Sequence, residues 1–240
     1  MRKIYLWQQD NWPMFFWDKD AISVSLGKVR QKQGYLVGRI SALGFEVQSD
    51  SVLEAMTQEV INSSAIEGVN LNPVSVRSSI ARHLGLEIEG INESDHYTDG
   101  IVQIAIDAAR NYNDALTESR LFNWHAALFP SGRSGMFPIT VAAYRVGEEP
   151  MRVISGAFGK EKIHYEAPAS ADVPAMMNEL LAWINSSSEI DDVLKAAIAH
   201  LWFVSIHPFD DGNGRITRTI TDMLLARADG MPHRYYSISA

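Results

Sequence analysis

The sequence predicts a mainly α-helical protein carrying one small β-hairpin. Three observations lead there. Apolar residues recur at three- and four-residue spacing through most of the chain, Pro, Gly and Thr stand where helices would start and stop, and a single stretch, 151–166, reads as two short strands around a Gly-containing turn. With 240 residues the chain can build one sizeable core, or a main domain with a small appendage.

Residues 1–18 are dense in aromatics (Tyr5, Trp7, Trp12, Phe15, Phe16, Trp17), and so much ring area is expected to dock on the core, as part of an extension over residues 1–50. A helix is expected over about 18–42, with a stripe of Ile22, Leu26 and Val29 continued less regularly by Tyr35, Leu36 and Ile40. A second, over about 51–66, puts Leu53, Met56, Val60 and Ser64 on one face and stops at Gly68. Pro73 opens a third, which Gly85 interrupts, and a fourth runs over about 95–115 through Ile101, Ile104, Ile106 and Ala109. Thr117 caps a fifth, with Arg120 rather than an acid three residues on, so the capping box is incomplete. Residues 130–150, rich in Pro, Gly and Arg, read as loop; the hairpin follows, and 167–174 is loop again. Helices resume over about 173–186, 191–206 and 213–228, and the chain shows no internal repeat.

A net charge of −8 argues against a broad nucleic-acid-binding face, while permitting a local basic pocket for a phosphate ligand. The absence of Cys excludes disulfides, thiolate zinc sites and cysteine nucleophiles. No apolar run reaches the roughly 18–20 residues that span a bilayer. Met1-Arg2-Lys3 is not followed by the apolar stretch of a secretory signal. A cytoplasmic protein without membrane attachment is the expectation.

The chemistry gathers between the last two helices, in His207-Pro208-Phe209-Asp210-Asp211-Gly212-Asn213-Gly214-Arg215-Ile216-Thr217-Arg218. Pro208 cannot continue the preceding helix and pushes its neighbour out of the α region, so His207 stands at a fixed exit. Gly212 and Gly214 flank Asn213 and let several backbone N–H groups point into one concavity at a helix N-terminus, which is a phosphate site. Arg215 and Arg218, three apart on one helix face, can hold further phosphate oxygens with planar forks. Asp211 would repel a phosphate unless a cation lay between them, and Mg²⁺, which bridges one carboxylate to polyphosphate, is the natural candidate. His207 is then a plausible general base. Phe209, an apolar ring in a polar loop, is expected to anchor the loop in the core. Each of these residues alone has a bland structural reading; their joint occurrence within 12 residues favours the functional one. The other six His residues are read as structural or exposed, with His200 a packed helix residue.

This loop resembles the signature of the Fic (filamentation induced by cAMP) family, His-Pro-Phe-x-(Asp/Glu)-Gly-Asn-Gly-Arg-x-x-Arg, at every fixed position: His207, Pro208, Phe209, Asp211, Gly212, Asn213, Gly214, Arg215 and Arg218. The likeness runs from about Leu53 to Ser239, and residues 51–240 would form the Fic domain. The resemblance implies a Fic-type helical bundle and transfer of AMP from ATP to a Ser, Thr or Tyr hydroxyl of a target protein. His207 would take the hydroxyl proton and Asp211 would hold Mg²⁺. Gly212, Asn213 and Gly214 would bind phosphate oxygens, with Arg215 at the β- and Arg218 at the γ-phosphate. Relatives with Lys in place of Gly214 are similar to kinases, so the Gly favours nucleotidyl transfer. The hairpin over about 152–166 resembles the family's flap, whose edge at Val153, Ile154, Ser155 and Gly156 would hold a target segment by strand addition.

The stretch Ser63-Ser64-Ala65-Ile66-Glu67-Gly68 resembles the family's inhibitory motif, (Ser/Thr)-x-x-x-Glu-(Gly/Asn). A carboxylate at a helix C-terminus is disfavoured by the dipole and gains from a cationic partner. The resemblance makes that partner Arg218 and the helix at about 51–68 a brake in cis; in some relatives the same Glu supports removal of AMP. Three other readings stay open: another transferred group (UMP, phosphate, phosphocholine), a nucleotide-binding regulatory module, and a simple metal site of His207 and Asp211. Family members frequently continue into further helices or a winged-helix domain, so a fragment would lack part of the base-binding wall. The oligomeric state, a homodimer included, is not legible.

Overall fold

The computed structural model describes residues 4–86, 95–156, 159–232 and 234–240. Eight α-helices stand among them: α1 (Lys19–Ser41), α2 (Phe45–Ile66), α3 (Pro73–Leu84), α4 (His96–Arg110), α5 (Glu118–Leu128), α6 (Val173–Asn185), α7 (Asp192–Ile206) and α8 (Asn213–Asp229). None is long and apolar enough to cross a membrane. The caps are those the residue types favour: Asp18, Asn72, Asp95, Thr117 and Asp191 each accept a hydrogen bond from a first-turn N–H. Gly85, at φ +72°, closes α3 in the left-handed conformation.

The antiparallel pair α7 and α8 is the spine, with α6 backing α7 and α4 crossing α8. Around it α2, α3, α4 and α5 pack in sequence order. Phe203, Ile206, Phe209, Ile216, Ile220 and Met223 are fully buried along this spine, so the loop joining the two helices is enclosed by the densest part of the core.

The hairpin expected near 151–166 is β3 (Arg152–Ser155) with β4 (Lys162–Glu166), antiparallel, with a bulge between Val153 and Ile154. The tip residues Ala157 and Phe158 lie outside the described residues. A second small ladder corrects the expectation of a single hairpin: β1 (Arg133–Ser134) pairs with β2 (Phe137–Pro138) inside the stretch read as loop. Gly135, at φ +55°, makes the tight connection, and strands of two residues leave no periodicity to read.

Three helix readings shift. The second helix starts at Phe45, after Gly44, rather than near 51, and the fourth ends at Arg110 rather than near 115, where 111–114 turn. The stripe of α1 runs through Ile22, Leu26, Arg30, Gln33, Leu36 and Ile40, whereas Val29 and Tyr35 are exposed. No residue of α1 is fully buried. Polar contacts tie it down instead: Arg30 Nε to Asp191 Oδ2 at 3.0 Å, and Gln33 Nε2 to Asp229 Oδ1 at 3.1 Å and to the Tyr236 hydroxyl at 2.9 Å. Ahead of α1, Trp12 and Phe15 pack on Trp202 of α7 with ring centroids 5.9 Å away in each case, while Phe16 stays exposed.

Candidate active site

Three carbonyls in the last turn of α7 find partners around the loop that follows. Phe203 O accepts from His207 N–H at 3.0 Å, Val204 O accepts from the His207 ring at Nδ1, 3.3 Å away, and Ser205 O accepts from the Tyr165 hydroxyl. His207 leaves the helix at φ +53°, ψ +59°, a left-handed exit that keeps it out of the α region before Pro208. Because Val204 O can only accept, Nδ1 carries the proton of the neutral ring and Nε2 is the basic nitrogen. Burial pushes the His207 pKa below 6.5, outweighing the bond to Val204, and Arg145's charge acts the same way.

Two buried residues hold this loop: Arg145, not singled out in the sequence, and His125, one of the six His read as structural or exposed. Arg145 donates from Nε to His207 O at 2.8 Å, from Nη2 to Pro168 O at 2.6 Å and from its backbone N–H to Pro208 O at 2.8 Å. His125 stacks on Phe209 with centroids 4.2 Å apart and planes 14° apart. Its Nδ1 accepts from Ala142 N–H at 3.2 Å, so Nε2 donates to Asp211 O at 3.1 Å. Burial holds it neutral by lowering its pKa. Phe209 is the expected anchor, enclosed by His125, Tyr144, Phe122 and Phe203. Asp210 takes Thr140 N–H at 2.9 Å and ties the loop to the chain beside it.

Gly212 precedes α8 at φ +82°, and a Cβ there would meet the Phe129 ring at 2.8 Å, so both conformation and space require Gly. The first-turn N–H groups of Asn213, Gly214 and Arg215 have no acceptor within the helix, leaving a concave donor set at its positive end. The Asn213 side chain exchanges two hydrogen bonds with the Phe209 backbone, at 3.0 and 2.8 Å. What Asn213 offers a ligand is therefore its backbone N–H rather than its amide.

Asp211 keeps a side chain 41% exposed, with Gly212 N–H at 2.5 Å and the Ser134 hydroxyl donating to its carboxylate. It opens on a cleft of about 660 Å³ walled by Glu67, Tyr97, Phe129, Arg133, Ser134 and Arg215. Arg215 is buried. Its Nη1 donates to the Tyr97 hydroxyl at 2.7 Å and its guanidinium lies 5.0 Å over the Phe129 ring, while its Nε has no partner. That donor is buried and has no acceptor among the described residues.

Arg218, one turn on, is held by α2 through Nε and Nη2. Its Nε donates to Ser63 Oγ at 2.7 Å, and its Nη2 to Ser63 O at 2.9 Å and Glu67 Oε1 at 2.8 Å. Glu67 caps α2, with Gly68 at φ +76° behind it. Its carboxylate reaches over Gly214, where a Cβ would come within 2.0 Å of Oε1. A carboxylate thus lies across the first turn of α8. The structure brings together His207, Asp211, Gly212, Asn213, Gly214, Arg215, Arg218, Ser63 and Glu67, and holds Val153, Ile154, Ser155 and Gly156 on the exposed edge of a separate hairpin. Among the described residues no three His, Asp or Glu side chains gather to hold a metal unaided.

Fold and loop define a class: a helical-bundle protein whose central helix hairpin presents a histidine, a carboxylate and an anion-accepting helix N-terminus from one turn. Residues 115–225 match the Fic/DOC family, and the chain carries a Fic/DOC family domain. Residues 5–86 match a domain of unknown function (DUF4172), which takes in the aromatic segment, α1, α2 and α3. The chain is 26% identical over 204 residues to the protein adenylyltransferase Fic of Aedes aegypti, covering 76% of this chain and 36% of that protein. It thus spans about a third of the curated relatives it matches. In fold it resembles a Fic family protein from Desulfovibrio desulfuricans G20 (TM-score 0.58, 22% identity, 90% of this chain and 59% of that one). It also resembles a Fic domain containing signaling protein from Bacteroides thetaiotaomicron VPI-5482 (TM-score 0.59, 20% identity, 82% and 72%).

Proposed function

We propose that the chain is a protein adenylyltransferase that moves AMP from ATP to a Ser, Thr or Tyr hydroxyl of a target protein, and that Glu67 holds it in check. The observation that carries the reading is the single turn that joins a basic imidazole Nε2, an exposed carboxylate and unpaired N–H groups at a helix N-terminus. Relatives named protein adenylyltransferase Fic support the choice of reaction. His207 Nε2 takes the proton of the target hydroxyl, whose oxygen bonds to the α-phosphorus as the bond to pyrophosphate breaks. The N–H groups of Asn213 and Gly214 receive the phosphate oxygens, Arg215 meets the β-phosphate and Arg218 the γ-phosphate. Asp211, whose carboxylate is open to the cleft, is the residue that would hold Mg²⁺ beside the phosphates. When bound, that ion supplies positive charge against the phosphates.

The contact of Glu67 with Arg218 and its position over Gly214 support the brake: the carboxylate takes the guanidinium and the space that a γ-phosphate needs. The same carboxylate could serve the reverse reaction by orienting a water. ATP as the co-substrate is in keeping with a cytoplasmic setting. The test uses the Glu67→Gly chain with ATP labelled at the α- or the γ-phosphate. The reading expects covalent α-label that His207→Ala abolishes, and no γ-label. Covalent γ-label would make the protein a kinase, and α-label from UTP in preference to ATP would change the transferred group.

A further inference from the structure

The aromatic segment ahead of α1 has no part in the chemistry above, yet its contacts end beside the histidine. Residues Tyr5 to Gln8 form a self-closed turn, with Tyr5 N–H donating to Gln8 Oε1 at 3.0 Å and Gln8 N–H to Tyr5 O at 3.0 Å. From this turn Trp7 Nε1–H donates to Glu166 O at 2.8 Å, at the base of the β3–β4 hairpin. Tyr5 meets Tyr165 edge to face, centroids 5.2 Å apart. Tyr165 is half-buried on β4, and its hydroxyl donates to Ser205 O, two residues before His207. Trp12 and Phe15 fix the same segment to Trp202 of α7. The N-terminal segment, the foot of the hairpin and the end of α7 therefore form one closed set of contacts. The outer strand β3, with all four residues exposed, pairs with β4, whose end is that foot.

We propose that the segment Tyr5–Gln8 is a brace that fixes the hairpin relative to His207, with Trp7 and Tyr165 as positioning residues. The inference rests on the reading of β3 as the edge that presents the acceptor hydroxyl. A strand that offers main-chain bonds sets where the acceptor lies only if its own foot is fixed, because a displacement of about 1 Å at the reacting atoms is enough to cost rate. The brace acts on the acceptor side of the reaction, through Ser205 O in the last turn of α7.

The variants are Trp7→Phe, which keeps a ring and removes the indole N–H, and Tyr165→Phe, which keeps the ring and removes the hydroxyl. Both are made in the full chain carrying Glu67→Gly. Hydrogen exchange of amides 152–155 and 162–166 is expected to quicken about fivefold in each, the worth of one hydrogen bond, with α8 unchanged. The rate of self-labelling from ATP at saturation is expected to fall by a similar factor at an unchanged KM for ATP. Unchanged exchange in both variants overturns the brace. Faster exchange with unchanged labelling overturns the positioning role. A parent chain that takes no label at all contradicts the transferase reading instead, and the exchange measurement still decides the brace.

Discussion

Arg215 and Arg218 lie three residues apart on the same helix, carry the same side chain and are both largely buried, yet their surroundings differ. Arg215 rests on the Tyr97 hydroxyl and the Phe129 ring, meets a carboxylate only at long range, with Asp211 Oδ1 3.8 Å from its Nη2, and keeps a buried Nε without a partner. Arg218 is bound by α2, through the hydroxyl and carbonyl of Ser63 and the carboxylate of Glu67. A guanidinium held mainly by neutral groups is preorganised for an incoming anion; a carboxylate at 2.8 Å competes with that anion. Side-chain type therefore does not tell a ligand-ready arginine from an occupied one, whereas the neighbouring helix does. The face of α2 that meets Arg218 is itself tied down one turn earlier, since Glu59 accepts from Ser237 Oγ at 2.7 Å and Ile238 N–H at 2.9 Å.

The largest effect expected leaves both arginines in place: His207→Ala removes the proposed base, and labelling from ATP should fall by about 10²–10⁴-fold at an unchanged fold. Breaking the contrast itself comes next. Glu67→Gly frees Arg218 and should raise labelling about ten- to a hundredfold, the range for losing a competing charged hydrogen bond of about 1.5–3 kcal/mol. On the other arginine, Tyr97→Phe withdraws one neutral bond and should weaken ATP binding about fivefold by calorimetry. Ser63→Ala should raise labelling by only about two- to threefold, because the Ser63 carbonyl and Glu67 remain on Arg218.

The smallest signal is in pH. With the His207 pKa below 6.5, the acid limb of kcat/KM should lie below that value, activity being retained above the folded pKa and lost as pH falls through it. The sign for stability follows from the same shift. Between the folded pKa and 6.5 the unfolded chain binds the proton and the folded chain does not, so stability falls as pH drops through that window. A limb at or above 6.5 would contradict the buried, neutral ring.

The spine, the cap residues and the shape of the 207–218 loop were legible because each is encoded locally: Pro after His207, Gly at φ +82° before α8, an apolar ring at Phe209. The pairing of Glu67 with Arg218 came from a family resemblance, since 151 residues separate the two. The loop contacts of Arg145, His125, Tyr97 and Ser134 are not legible in the sequence for the same physical reason. These residues meet the loop from 62, 86, 118 and 77 residues away, and no periodicity marks such partners. An Arg within a Gly- and Pro-rich stretch reads as solvated loop until its three carbonyl-directed bonds are seen. The stripe of α1 was misread because Arg30 and Gln33, not Val29 and Tyr35, face the body of the protein.

The central claim is that Arg218 is claimed by Glu67 in place of a γ-phosphate. Calorimetry of ATP and ADP on His207→Ala, with and without Glu67→Gly, tests it without turnover. ATP should bind about tenfold more tightly than ADP once Glu67 is gone, and with no such preference while Glu67 is present. The same ratio of ATP to ADP affinity in both chains would contradict the account.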